Sequence, residues 1–148
     1  MDNAEVVAIL NQLIVTNRDS AEGYETAAAA VENPDYREFF QEYAHQRSQF
    51  VTDLSDLVRE YDGDPEQGGN LAGTFQRAWM NIKASLTEGD HAIIDECDRS
   101  DEAALALYAE ILPKALPETV KSMVRRQLVD VRISHERVHA INGALANH

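Results

Sequence analysis

The sequence predicts an all-α bundle of four long helices, arranged as two antiparallel hairpins with a long connection between them. Three observations carry this. Apolar residues recur at three- and four-residue spacing over four long stretches, two breaker segments are short enough to force tight turns, and no stretch of useful length alternates with the period of a strand. The 148 residues suit a single domain, 1–148, able to bury one continuous core. An apolar fraction of 44% and a charged fraction of 26% belong to an ordinary globular chain.

The first helix is expected over 3–32, where Leu10, Leu13, Asn17, Tyr24, Ala28 and Val31 share one face. Asn33-Pro34-Asp35 ends it, because Pro34 drives Asn33 out of helical geometry and Asp35 can cap the second helix. That second helix, over 35–61, carries the stripe Tyr36, Phe39, Tyr43, Phe50, Leu54, Leu57 and Tyr61, which reads as core packing. Asp62 to Asn70 is the one long breaker segment. A shorter helix over 71–86 comes next, with Leu71, Phe75, Trp79, Ile82 and Leu86 on one face. Asp90 can cap the third long helix, 90–112, whose stripe is Ile93, Ile94, Cys97, Ala104, Tyr108 and Ile111. Pro113 to Pro117 is the second tight connection, and the fourth helix runs over 118–146 with Val120, Val124, Gln127, Val131, Val138 and Leu145 inward.

A connecting helix of about 16 residues spans roughly 24 Å at 1.5 Å per residue, enough to carry the chain toward the far end of a bundle. One such crossover is the mark of a ferritin-like four-helix bundle, and that is the predicted fold.

The 26 acidic residues against 13 basic ones give a net charge of −13. Such a surface repels phosphate backbones and anionic lipid, so neither nucleic acid nor a membrane is an expected partner. Cys97 is the single cysteine, so no disulfide forms within the chain. Met1-Asp2-Asn3-Ala4-Glu5 lacks a basic start, and Asn11 and Gln12 break the apolar stretch after it, so a cytoplasmic protein is expected. Nucleophilic triads, phosphate-binding glycine loops and dinucleotide fingerprints do not occur, and no catalytic residue is assigned.

One constellation carries chemistry. Di-iron carboxylate bundles take a Glu from each of two helices and a Glu-x-x-His pair from each of the others. Here Glu42 with His45 and Glu136 with His139 have that spacing, while the first helix offers Glu22 and Glu25 and the third offers Asp95 and Glu96. Counted from their turns, these sets meet at one level if the two turns lie at opposite ends of the bundle, with Glu96 beside the His135 region. Their facing opposes the match. At about 100° per residue, His45 and Glu136 point away from their apolar stripes, Glu22 lies nearly opposite its own, and Glu42 sits on a flank.

The residues pointing inward at that level are Ser20, Tyr24, Gln46, Arg47, Cys97 and His135, with Glu25 at the border. That layer must be a satisfied hydrogen-bonded network or a site, because an unpaired buried polar group costs about 1–3 kcal/mol. Arg47 is expected to pair with Glu25 or a neighbouring acid, His135 to be a hydrogen-bonded core histidine, and Cys97 a small buried hydrophobe. Asp101 also falls on its helix's stripe and demands a partner that the sequence does not name.

Leu10-Asn11-Gln12-Leu13-Ile14, Glu22-Gly23-Tyr24, Arg47-Ser48-Gln49-Phe50, Ala78-Trp79-Met80-Asn81-Ile82-Lys83, Glu96-Cys97-Asp98-Arg99-Ser100-Asp101-Glu102 and His135 together resemble a family of small bacterial ferritin-like bundles of unknown function, common in proteobacteria. The resemblance covers nearly the whole chain. Family members usually show Arg-Gly-Glu-Asp where this chain has Arg99-Ser100-Asp101-Glu102. The resemblance implies the fold, a cytosolic setting and a stress-related role, and it implies a residue like His135 but none like His45 or His139.

Two functions are expected from these readings. The first is a non-catalytic bundle that acts by self-association, as a homo-oligomer, or by binding another protein. The second is a di-metal protein or oxidase holding iron or manganese through Glu25, Glu96 and His135, with Glu42, Glu136 and His139.

Overall fold

A computed structural model describes residues 1–67 and 88–146. They form four helices, α1 (Asn3–Ala30), α2 (Pro34–Glu60), α3 (Asp90–Ile111) and α4 (Glu118–Ala146), and no strand occurs among the described residues. The expected connecting helix over 71–86, with Trp79, lies outside the described residues.

Local chemistry sets the boundaries. Asp2 caps α1 by accepting from the Glu5 N–H at 2.9 Å. Asn33, not Asp35, caps α2: its side chain accepts from the Asp35 N–H at 2.9 Å and leaves Pro34 in the first turn, where its missing N–H costs nothing. Asp90 likewise does not cap α3. Gly89, at φ +101°, precedes that helix. Asp90 instead reaches across to accept from the backbone N–H groups of Glu32 at 2.8 Å and Asn33 at 3.1 Å. A carboxylate with two oxygens thereby ties the start of α3 to the α1–α2 turn.

The hydrogen bonds give the directions of the helices. Asn17 meets Tyr108 and Tyr24 meets Asp101, so α3 runs antiparallel to α1. Tyr108 meets Gln127 and Asp98 meets His139, so α4 runs antiparallel to α3. Two apolar clusters fill the ends. One gathers Val6, Leu10, Leu57, Ile111, Leu116 and Val120, and the other gathers Val31, Phe39, Phe40, Ile93, Ile94 and Val138. The α1–α2 turn therefore lies at one end and the α3–α4 turn at the other.

The end of α2 folds back on α1. Gly63 lies against Val7 and Val58, where an added Cβ would come within 2.6 Å of Val7 and 3.1 Å of Val58. Beyond it, Asn11 donates to the Asp64 carbonyl and accepts from the Glu66 N–H, and Arg18 donates to the Glu66 carbonyl. The segment climbs α1. Gly63→Ala should cost about 1–3 kcal/mol, because β-branched Val7 cannot swing aside, and a thermal unfolding scan reads this directly.

Asp19 on α1 is raised from 3.8 to about 6, first by burial and next by the charge of Glu22, with Arg18 opposing both. The folded state thus penalises its ionised form. The penalty is absent only well below pH 3.8, where Asp19 is protonated folded and unfolded, grows from there, and is complete above about pH 6. Asp19→Asn should therefore stabilise the protein at pH 7.5 by about 1 kcal/mol, a figure already reduced for the partly exposed side chain, and the gain should shrink to a small fraction of that at pH 4. Urea titrations at the two pH values decide it.

Candidate metal centre

Between the two apolar clusters lies a polar layer, and its centre is an ion pair. Arg47 (0% exposed side chain) donates from Nη1 to Oδ1 of Asp101 (1%) at 3.1 Å. Its Nη2 donates to Ser134 Oγ, which itself donates to the Val131 carbonyl at 2.9 Å. Tyr24 gives its hydroxyl to the other Asp101 oxygen at 2.5 Å, and the guanidinium lies over the Tyr24 ring, 5.4 Å from its centroid. Burial and the Asp101 charge push the Tyr24 phenol well above its ordinary range. Burial works most strongly against the Arg47 charge, but the charge and hydrogen bond of Asp101, with Tyr24 and Tyr108, together outweigh it and hold the guanidinium protonated.

Arg47 thus pairs with Asp101, not with Glu25. Asp101 points inward from α3, whereas Glu25 is exposed. A second chain of bonds runs beside the pair: Asn17 donates to Tyr108, and Tyr108 donates to Gln127 Oε1 at 2.7 Å. Ser20, Tyr24, Cys97, Ser100 and Asp101 line a cavity of about 10 Å³, room for a single water. Burial, then the charges of Asp101, Glu96 and Asp98, raise the Cys97 thiol well above its ordinary range, so it stays a protonated, unreactive side chain.

This centre does not fit the two-metal set. A dication placed there would face a buried guanidinium, and the expected ligands lie elsewhere. Glu25, Glu42, His45 and Glu136 are exposed, and Glu96 is held by Arg99 at 3.2 Å. The level of Glu96 is also shifted: α3 and α4 pair Glu102 with His135, Asp98 with His139 and Asp95 with Asn142, which puts Glu96 more than one turn from His135. The α3–α4 connection is longer than a tight turn, so the register slides by its extra residues. Gln46 is half-buried, with its Oε1 unpartnered.

A different group converges at the rim of the α3–α4 seam. Ligand atoms of Asp98, Glu102, His135 and His139 all lie within 4.8 Å of one another. Both pairs have i, i+4 spacing, which sets their side chains on one face of each helix. His135 Nε2 is 2.8 Å from Asp98 Oδ1 and 3.8 Å from Glu102, while His139 Nδ1 is 2.9 Å from Asp98 Oδ2. Asn142 Nδ2 donates to Asp98 Oδ2 at 2.9 Å and to Asp95 Oδ1 at 3.1 Å. Asp98 is the pivot of this group. Burial works to raise its carboxyl, but hydrogen bonds from Asn142 and His139 and the nearby imidazoles outweigh it, leaving Asp98 below the ordinary carboxylate range. The hydrogen bond and charge of Asp98 in turn raise His139.

Of the expected metal ligands, His135 and His139 belong to this group; His135 is half-buried rather than sealed in the core, with 15% of its side chain exposed. His139 faces the rim, 65% exposed, with one nitrogen turned inward. The apolar stripe of α3 does not single out Asp98 or Glu102, because neither lies at its centre. The signal that finds them is the matched pair of four-residue spacings, Asp98 to Glu102 and His135 to His139.

Residues 5–114 match the family described as Domain of unknown function (DUF2383). The chain belongs to this family. The matched span holds nearly all of α1, then α2, α3, the Arg47–Asp101 pair, Asp98 and Glu102, whereas His135 and His139 lie beyond it on α4. No curated protein matches the chain. Among the described residues, no helix is long and apolar enough to cross a membrane.

Proposed function

We propose that this family member is a ferritin-like bundle that binds one divalent transition-metal ion, iron or manganese among the metals its donors suit, at Asp98, Glu102, His135 and His139. The observation that carries the reading is the convergence of two imidazoles and two carboxylates within 4.8 Å. Imidazole nitrogen with carboxylate oxygen suits first-row dications, and four protein donors leave coordination positions open on an octahedral ion. The crossover belongs to this proposal. It is supported by Gly63 packing beside Val7 at one end of α1 and Asp90 bonding at the other, so the chain between them has the bundle's length to cover.

Elemental analysis of protein purified without chelators tests the function. Close to one equivalent of iron, manganese or zinc is expected, removed by a chelator with a fall in melting temperature. Ions held at 100 times their dissociation constant add about 2.7 kcal/mol to stability. Metal-free protein whose melting temperature ignores added dications would end the proposal.

A second reading rests on the outer face of α4. Val129 (50% exposed) and Ile133 (60% exposed) stand one turn apart, bordered by Arg126 and Arg132 and equally by Asp130 and Glu136. An apolar pair with a rim of both charges is how contact surfaces are built, and the same patch on a second copy could meet it with arginines against acids. Ile133→Asp should convert an oligomer to monomer in light scattering. An unchanged mass for wild type and variant would remove this reading. A stress-related, cytosolic role remains the setting in which either reading is proposed.

A further inference from the structure

Resting on the self-association reading above, we infer that α4 pairs antiparallel with α4 of a second copy, about a two-fold axis level with Val131. Two features single out this helix as the contact. It carries five basic residues against three acidic ones, on a chain with 13 against 26, so it is where two copies approach against the least repulsion. Val129 and Ile133 are also the large apolar side chains exposed on a helix among the described residues.

The pattern around them sets the symmetry and the register. In a two-fold contact residue i meets residue j and j meets i, so a face pairs with itself only where residues equidistant from the axis are complementary. Val131 is buried, and at about 100° per residue Arg126, Val129, Ile133 and Glu136 lie on the opposite side of α4, with Asp130 and Arg132 on its two flanks. About an axis level with Val131, Val129 meets Ile133 of the second copy, Arg126 meets its Glu136 and Asp130 meets its Arg132. Every pairing occurs twice, so the apolar centre is closed on both sides by opposite charges. Ser122 and Ala140 meet one turn further out, where nothing bulky holds the helices apart.

Other registers fail by charge. Moving the axis two residues toward the start of α4 sets Arg126 against Arg132, and moving it two residues the other way sets Asp130 against Glu136. A parallel pair would set each charge against itself. Arg125 and Arg137, which the axis at Val131 brings level, are engaged within the chain, Arg125 with Glu118 at 3.3 Å and Arg137 over the Phe39 ring at 4.9 Å. Among the described residues, no ion pair within the chain uses Arg126, Asp130, Arg132 or Glu136. A single helix pair is a small interface, below about 1,200 Å², so the dimer is reversible.

Sedimentation velocity of the full-length protein over a concentration series is the test. Wild type should dimerise. Arg126→Glu and Glu136→Arg, each setting like charges together twice, should each weaken the dimer at least about tenfold. The double variant Arg126→Glu/Glu136→Arg should regain wild-type association, and an equimolar mixture of the two single variants should form a heterodimer. Dimers indifferent to both single reversals, or a double variant no tighter than the singles, would overturn this register; if Ile133→Asp still dissociated them, self-association through α4 would stand. A wild type that stays monomeric throughout would defeat both.

Discussion

Arg47→Met is expected to destabilise the protein by about 3–5 kcal/mol, because it leaves the Asp101 carboxylate buried with its countercharge gone. The loss is a large share of the 5–15 kcal/mol that holds a typical domain together. The Ser134 hydroxyl also loses its donor and the Tyr24 ring its cation, while Tyr24 alone remains on Asp101. Asp101→Leu leaves the opposite orphan, a guanidinium at 0% exposure, and should cost a similar amount. The double variant Arg47→Met/Asp101→Leu should regain most of the loss, since exchanging a whole buried pair for apolar groups of like volume is close to neutral. Urea unfolding of the four proteins forms a closed cycle. A single variant within about 1 kcal/mol of wild type would mean that solvent reaches the pair.

His135→Ala and His139→Ala are each expected to weaken metal binding at least 100-fold, more than the 10–100-fold that accompanies loss of an outer-sphere partner. Glu25→Ala, Glu42→Ala and Glu136→Ala should leave affinity where it was, because their carboxylates are exposed and apart from the cluster. Asn142→Ala should fall between, since Asn142 orients Asp98 from outside the ligand set. Titration calorimetry with manganese(II) ranks all six. Equal losses at Glu25 and His135 would restore the central two-metal set.

The long helices are legible in the sequence because their signals are local. Apolar spacing places Leu10, Phe39, Ile94 and Val131 in the interior, and the Asn33-Pro34 and Pro113–Pro117 breaks fix the turns. The same spacing turns His45 and Glu136 outward, where they lie. The caps are less legible, since Asn33 and Asp35 both suit a cap and only Pro34's need for the first turn chooses between them. Asp90 is unreadable in this respect: its partners, the Glu32 and Asn33 N–H groups, are more than fifty residues away.

The polar layer is legible as a level but not as a wiring diagram. Arg47 and Asp101 each show as an inward charge needing a partner. That each is the other's partner depends on how α2 and α3 rotate about their axes, which no single helix's stripe contains. Asp98 escapes for a related reason. It sits at the edge of the α3 stripe, and its meaning comes from the register with α4, set by how many residues the 112–117 connection consumes. A register one turn different would put Glu102 where Asp98 stands, opposite His139, and leave Asp98 facing Gly143.

In this protein the metal is expected at the α3–α4 rim and not at the bundle's centre. X-ray absorption at the metal edge of the manganese- or cobalt-loaded protein tests this most directly, because multiple scattering from imidazole rings counts histidine ligands. Two imidazoles with oxygen donors are predicted, falling to one in His139→Ala with the ion retained at high concentration. An all-oxygen shell, or a histidine count unchanged by that substitution, would contradict it.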